Sequence, residues 1–238
     1  MIDGHLAKLR FRHTLSQEEE QAVRSIIPGS RQVGRNETVV REGERLEAST
    51  LLLDGMMSRV KDLADGKRQI TQIHIAGDFV DLHGFTLKRL EHDVMTLTNC
   101  TLALVPHEQI RQLIERWPRL GRLYWFSTNL DACINREWEL SLGQRSAAER
   151  LAALFCEIYV RLEVVGRAAP CFNLGMNQSQ LADSLGMTAV HVNRTLRLLK
   201  DRGLLSYHRG EAQIHNLDGL KEVANFDPRY LYLDPDPL

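Results

Sequence analysis

Residues 177–216 read NQSQLADSLGMTAVHVNRTLRLLKDRGLLSYHRGEAQIHN, and the order of residue types in this stretch decides the fold. Asn177 is an N-cap type with Gln180 three positions on, a capping-box pattern. Leu181, Ala182 and Leu185 make the inner face of a short helix, and Gly186 breaks it. Thr188 caps a second helix over 189–200, with Val192, Leu196 and Leu199 inward. Ala182 is small where the two helices must approach. Gly186 permits the positive φ of a sharp turn, and branched Val192 wedges the helices together. Gly203 stops the second helix as a C′ glycine. Residues 204–208, Arg209-Gly210-Glu211 and 212–215 then spell a small hairpin. The pattern is a winged helix-turn-helix; an αα-hairpin of no special purpose would not need all of these features at once.

The outward positions of the second helix carry the chemistry. Val190, Asn193, Arg194 and Arg197 share one face, opposite Val192, Leu196 and Leu199. Arginine pairs bidentately with guanine, asparagine with adenine, and valine touches a thymine methyl. Between Asn193 and Arg209 the charges are Arg194, Arg197, Lys200, Arg202 and Arg209 against Asp201 alone. That local excess is hidden in the whole chain of 238 residues, where Lys plus Arg total 30, Asp plus Glu total 31 and the net charge is −1. Composition therefore does not announce a nucleic-acid binder; the basic surface is local.

Upstream, the texture changes twice. Residues 1–30 read as a helical lead-in, with Ser16 as N-cap, Glu18, Glu19 and Glu20 in the first turn, and Pro28-Gly29 as the stop. Residues 31–106 read as β: short apolar runs at 38–40, 50–53, 56–60 and around Ile70, Gln72 and His74, separated by turn signals. Asp54-Gly55 and Asp65-Gly66 read as hairpin turns. Runs this short and frequent predict a small sandwich or barrel. Residues 107–165 switch to helix. Trp117-Pro118 opens a long one, with Leu120, Leu123, Leu130 and Ile134 in a partial heptad interrupted by Ser127 and Glu137. Such a seam suits a second helix from another subunit, or the β domain of its own chain. Gly143-Gln144-Arg145-Ser146 is a hinge, and Ser146 with Glu149 is a second capping box. The predicted architecture is α+β: a β domain with its lead-in helix over 1–117, a long helix over 118–143, and the winged helix-turn-helix domain over 144–238.

The four cysteines, Cys100, Cys133, Cys156 and Cys171, show no C-x-x-C spacing and no short-range metal cluster. Residues 1–12 lack the apolar core of a signal peptide, and no apolar run reaches the roughly 20 residues of a membrane span. A cytoplasmic protein with reduced cysteines and no membrane partner is expected.

A β-roll, a long helix, a hinge and a C-terminal winged helix-turn-helix together resemble the Crp/Fnr family of transcription regulators. The resemblance covers nearly the whole chain and is strongest in residues 178–197 and in the Gly77-Asp78-Phe79 turn. It implies an N-terminal roll of the jelly-roll-like, double-stranded β-helix type, a dimerisation helix, and a homodimer on an inverted repeat of double-stranded DNA, with RNA polymerase as a partner if it activates. Arg194 would read guanine. His191, Asn193 and Arg197 would also contact the DNA, Ala189 and Val190 would tune the operator, and that small apolar pair points to one unlike that of the best-known members. Gln178, Ser179, Thr188 and Arg209 would hold phosphates. The family's effector pocket would map to Asp81, Leu82, His83, Lys88, Arg89, His92, Asn135 and Arg136. Where the family's cyclic-nucleotide sites carry a ribose-binding glutamate and a small hydroxyl residue, this chain has Leu82 and Asp93. A signal other than classical cyclic AMP is therefore expected. The iron–sulfur branch of the family needs clustered N-terminal cysteines, and none precedes Cys100. No cofactor is identified; a small-molecule effector fits, and His74, His83, His92 and His107 admit heme, with scattered surface histidines as the plainer reading.

Two other readings compete. A histidine-bearing β-barrel suggests a cupin-like metal enzyme, but His74 and His83 lack His-x-His spacing and no catalytic motif stands out, so no enzyme is expected. A ligand-binding adaptor whose helix-turn-helix serves only protein contact is the other.

Overall fold

The computed structural model describes residues 2–236. The chain opens with two helices, α1 (Asp3–Arg12) and α2 (Gln17–Ser25). The Ser16 and Glu19 side chains form a reciprocal capping box at the start of α2. The helix α1 was not legible as a separate element, because its sequence DGHLAKLRFR spreads charge around its apolar residues. It forms because His5, Leu6 and Leu9 are buried against the rest of the chain. Its docking depends on Gly77, at φ +98°, where a Cβ would stand 2.8 Å from the backbone of Gly4. His5 Nδ1 lies 2.9 Å from the Gly77 carbonyl oxygen at the same contact.

Next come β1 (Arg31–Val33), β2 (Thr38–Val40), β3 (Ala48–Asp54), β4 (Met56–Asp62), β5 (Arg68–Ile75), the short helix α3 (Gly84–Leu87), β6 (Asp93–Thr96) and β7 (Cys100–Pro106). They form two antiparallel sheets, ordered β1-β7-β3 and β2-β6-β4-β5. Val40, Leu52, Met57, Val94 and Leu102 fill the space between them. Asp65-Gly66 turns β4 into its partner β5, as expected. Asp54-Gly55 does not make a hairpin: β3 pairs with β7, while β4 pairs with β5 and β6. The turn is a corner that passes the chain from one sheet to the other. A Cβ on Gly55 would meet the Asn99 carbonyl at 2.6 Å, so the corner closes against the link from β6 to β7, which also crosses between the sheets.

The helical part follows: α4 (His107–Arg116), α5 (Pro118–Gln144) and α6 (Ala147–Val164). Arg145 is extended and Ser146 caps α6 with Glu149, so the chain bends where the hinge was read. On the long helix α5 the apolar stripe packs largely on its own chain, the second of the two partners the sequence allowed. Leu120 and Leu123 are fully buried in the core that also holds Leu6, Val23 and Val105 of the same chain. Leu130 and Ile134 pack with Val160 and Leu231, also of the same chain. Leu120, Leu123 and Ile134 are buried inside the protomer, and Leu130 is half-buried. The apolar residues α5 leaves outside are Trp125, 68% exposed, and Leu140, 50% exposed.

The C-terminal part comprises β8 (Cys171–Asn173), α7 (Gln178–Leu185), α8 (Ala189–Asp201), β9 (Leu205–His208), β10 (Glu211–Ile214), α9 (Leu217–Ala224) and a 3-10 turn (Pro228–Leu231). The strand β10 sits between β8 and β9. This part does not pack apart from the roll. Met56, Val60, Ile70, Ile73 and Ile75 of β4 and β5 share one core with Phe155, Leu181, Val192 and Leu199 of the helices. Among the described residues, no helix is long and apolar enough to cross a membrane.

Candidate nucleic-acid interface and effector cleft

The reading head is built from local rules. Asn177 Oδ1 accepts from the Gln180 amide at 2.9 Å while Gln180 Oε1 accepts from the Asn177 amide at 2.9 Å, closing the capping box of α7. Gly186 takes φ +61°, and a Cβ there would stand 3.1 Å from Leu142 Cδ2, so the turn also fits against α5. Thr188 Oγ1 accepts from the His191 amide at 3.2 Å and starts α8. Val192 and Leu199 are fully buried, and Ala182 lies in the same core. At the tip of the β9–β10 hairpin, Arg209 has φ +50° and Gly210 φ +92°, a two-residue turn with both centres left-handed.

The opposite face of α8 is open to solvent. Val190 is 81% exposed, and Asn193, Arg194 and Arg197 are exposed beside it. Asn193 Nδ2 donates to Gln178 Oε1 at 3.2 Å, linking this face to the start of α7. Arg197 lies 3.9 Å from Asp201, a loose pair in water. Arg194 has no hydrogen-bond or ion-pair partner among the described residues. Ser179 and Thr188 are exposed at the two helix starts, Arg209 is exposed at the hairpin tip, and Ala189, His191 and Gln178 are half-buried. Two capped helix N-termini, a hairpin arginine and an open arginine–asparagine face can hold phosphates and reach base edges together.

The roll and α5 enclose a second feature, a cleft of about 670 Å³. Arg59, Lys61, His83, His92, Asp131 and Asn135 line it. Of the residues expected at an effector pocket, only His83, His92 and Asn135 stand here. Asp81 is buried elsewhere, with Oδ1 accepting from the Thr50 amide at 2.5 Å, and burial pushes its carboxyl up to about 6. Leu82 belongs to the core around α1. Lys88 lies 5.0 Å from the Phe85 ring centre and donates to the Phe85 carbonyl. Arg89 donates to the Gly43 carbonyl oxygen. The helix α3 ends with Lys88 at φ +65°, and that left-handed stop carries both cations away from the cleft. Arg136 is exposed on α5 and lies 3.0 Å from Cys133 Sγ.

Sequence reading passed over Arg59 and Asp131, which hold the cleft floor. Arg59 donates to Val80 O at 2.8 Å, Gln72 Oε1 at 2.5 Å and Asp131 Oδ2 at 2.8 Å. The available signal was a lone arginine inside an apolar strand, since a buried charge needs partners. Burial, with the Arg59 charge beside it, pushes the His83 imidazole down to about 3. Burial also lowers His92.

Beside the cleft lies a buried ion-pair cluster. Asp78 is paired with Lys8 of α1 and, at 2.8 Å, with Arg161 of α6. Arg161 also bonds Glu157 Oε1 at 3.0 Å, and Glu157 accepts from Trp138 Nε1 at 2.9 Å and Tyr230 OH at 3.0 Å. Burial alone would raise Asp78, but the Lys8 and Arg161 charges hold its carboxyl well below the ordinary range. His74 Nδ1 is 3.4 Å from Asp78 Oδ2, and burial brings that imidazole down to about 4. The histidines of the roll are therefore not scattered on its surface: His74, His92 and His107 are buried. Among the described residues, no group of three His, Cys, Asp or Glu side chains could hold a metal ion. Cys100 and Cys156 are buried, and burial pushes the Cys156 thiol up to about 12.

Comparison with known proteins agrees with this geometry. Residues 30–116 match the cyclic nucleotide-binding domain model and residues 149–223 the Crp-like helix-turn-helix domain model, together more than half of the chain. The transcriptional activator protein anr of Pseudomonas aeruginosa is 23% identical over 222 residues, 93% of this chain and 90% of that protein. The transcriptional activator protein FnrL of Cereibacter sphaeroides is 27% identical over 194 residues, 79% of this chain and 77% of that protein. The solved structure of FixK2 from Bradyrhizobium japonicum superposes with a TM-score of 0.73 at 23% identity, covering 82% of this chain and 96% of that one. The c-di-GMP responsive regulator CLP of Xanthomonas campestris superposes with a TM-score of 0.66 at 17% identity, covering 84% of this chain and 100% of that one.

Proposed function

The chain belongs to the Crp/Fnr family of transcription regulators, and from that premise we propose that it reads an inverted-repeat operator as a cytoplasmic homodimer controlled by a signal other than cyclic AMP. The observation that carries the reading is the open face of α8. A face meant only for solvent has no need of a partnerless arginine beside an asparagine that is tied to the start of the preceding helix. Arg194 and Asn193 reach base edges, Val190 and Arg197 flank them, and Gln178, Ser179, Thr188 and Arg209 hold phosphates. Two copies meet along the outer face of α5, where Trp125 and Leu140 are exposed. Two-fold symmetry then sets half-sites about one helical turn, roughly 34 Å, apart. RNA polymerase is the further partner where the bound dimer activates.

The cleft supports the statement about the signal. Its cations are already engaged: Arg59 by Asp131, and Lys61 by Glu42 at 2.6 Å and by the Glu91 carbonyl. A phosphate entering here meets no free cation and must lie near Asp131, and an uncompensated buried charge costs several kcal/mol, on the order of 3–5.

Selection from a random pool of DNA duplexes tests the reading. The enriched sequences should be two-fold symmetric, and sedimentation should show two chains per duplex. Enrichment of asymmetric sites bound by a single chain, or no enrichment at all, would sink it.

A further inference from the structure

We propose that a second ligand site lies between α1, α5 and the C-terminal segment: a narrow cavity that takes a short uncharged diol, with one hydroxyl on His5 and the other on His13. The site is separate from the reading face of α8, so it stands or falls without DNA.

The cavity measures about 80 Å³. Its walls include His5 and Leu9 of α1, His13 at the end of that helix, Phe126 and Leu130 of α5, and Leu233 of the C-terminal segment. Thr128 and Asp131 line both this cavity and the cleft, but neither His5 nor His13 stands in the cleft.

Two imidazoles give the cavity its chemistry. His5 and His13 are 4% and 3% exposed. His5 Nε2 and both ring nitrogens of His13 have no hydrogen-bond partner among the described residues. Burial brings His5 down to about 4 and lowers His13 as well, so both rings are neutral near pH 7. His5 Nδ1 lies 2.9 Å from the Gly77 carbonyl oxygen, which can only accept, so the proton of His5 sits on Nδ1. Nε2 is then a bare acceptor that calls for an O–H or N–H. His13 offers one donor and one acceptor. A buried polar atom without a partner is costly, and a ligand hydroxyl supplies the partner.

The rest of the wall selects against charge. Asp78 is paired with Lys8 and Arg161, Asp131 with Arg59, and Arg12 with Asp236. The Ser127 and Thr128 hydroxyls already donate to the Leu123 and Trp125 carbonyls. The helix sets the length. His5, Leu9 and His13 are spaced i, i+4, i+8, which puts apolar Leu9 between two polar ends about 12 Å apart. The His13 amide still donates to the Leu9 carbonyl at 3.1 Å, so this spacing holds to the end of the helix. Two hydrogen bonds of about 2.8 Å take up nearly half of the span and leave room for about four carbons. An apolar cavity of about 150 Å³ takes benzene, and one near half that size suits a slender chain and not a ring.

The test uses the full-length protein without DNA, with 1,4-butanediol and its isomer 1,2-dimethoxyethane, which has two ether oxygens and no donor. Saturation-transfer NMR titration should give a Kd on the order of 1 mM for the diol, about tenfold tighter than for the ether. His13→Phe keeps a ring against Phe126 and removes no hydrogen bond seen in the protein; it should erase the preference, and His5→Phe should do the same. Equal binding of the two isomers by the wild type, or a preference that survives His13→Phe, would overturn the proposal. So would binding that does not saturate below about 100 mM, which would leave the cavity to ordered water only. If neither variant folds, methyl spectra of leucine- and isoleucine-labelled wild type decide: the diol should shift Leu9, Leu130 and Leu233, and shifts confined to Ile70 and Leu142 of the cleft overturn it.

Discussion

Arginines in two regions of this protein do opposite work. On α8, Arg194 stands in water with no partner among the described residues, and Arg197 has only a loose one at 3.9 Å. At the junction of roll and helices, Arg59 and Arg161 are buried and carry several acceptors each. A charge in water costs nothing to leave unpaired, so an exposed arginine row is free to wait for a ligand. A charge taken out of water must be matched, so a buried arginine is committed to the fold. The difference separates recognition from architecture within one residue type.

The largest effect that could break this comparison is at Arg161. Arg161→Ala would leave Asp78 and Glu157 buried without their cation and should destabilise the protein by about 3–5 kcal/mol. Urea denaturation followed by circular dichroism measures it. A midpoint like that of the wild type would show that the cluster is not structural.

Acid should act on the same junction. His5 and His74 are buried, and burial brings both from the ordinary 6.5 down to about 4. Below about pH 6.5 the unfolded chain takes up protons that the folded chain refuses until about pH 4. Stability therefore falls as pH falls through that window, by up to about 1.4 kcal/mol per pH unit for each imidazole. Asp81, raised to about 6, works the other way, because its folded form gains a proton first and offsets about one imidazole as pH drops below 6. Asp78, held well below the ordinary value, loses its stabilising charge only in stronger acid. Urea midpoints that stay level or rise between about pH 7 and about pH 5 would contradict this account.

On the exposed side, Arg194→Ala should cost about 1–3 kcal/mol on the selected operator, much less on scrambled DNA, and leave the urea midpoint unchanged. Equal losses on both duplexes would make Arg194 a phosphate contact and not a base reader.

The smallest effect sharpens the same contrast on α5. Leu140→Glu, on the exposed face, should raise the dimer dissociation constant about tenfold, close to 1.4 kcal/mol, without changing monomer stability. Leu130→Glu, on the face packed against Val160 and Leu231, should instead lower stability. Sedimentation read beside denaturation separates them, and the reverse pattern would restore the seam through Leu120, Leu123, Leu130 and Ile134.

Much of the reading head was legible because its signals are short-range. Caps act within three residues, Gly186 is needed by the turn it sits in, and the inward and outward faces of α8 follow from 3.6 residues per turn. The cleft was less legible. Its floor pairs Arg59 of β4 with Asp131 of α5, 72 positions apart, and no local rule links them. The family resemblance pointed to residues 81–92, of which His83, Glu91 and His92 line the cleft. Long-range partners decide that: Asp81 accepts from the Thr50 amide, Leu82 packs in the core around α1, and Arg89 donates to the Gly43 carbonyl oxygen.

The capped helices α2 and α6, the helix-turn-helix and the basic character of α8 were determined by the sequence alone, since each depends on neighbours within a turn or two. Tertiary structure alone decided three things. The corner at Asp54-Gly55 leads to the other sheet because β3 finds its partner in β7. The apolar stripe of α5 is buried inside its own protomer because α1, α2 and the C-terminal turn reach it first. The winged domain sits on the roll because β4 and β5 turn Met56, Val60, Ile70, Ile73 and Ile75 toward the helices. Apolar surface is withdrawn from water by whatever apolar surface is nearest in space, and periodicity along a chain does not say which surface that will be.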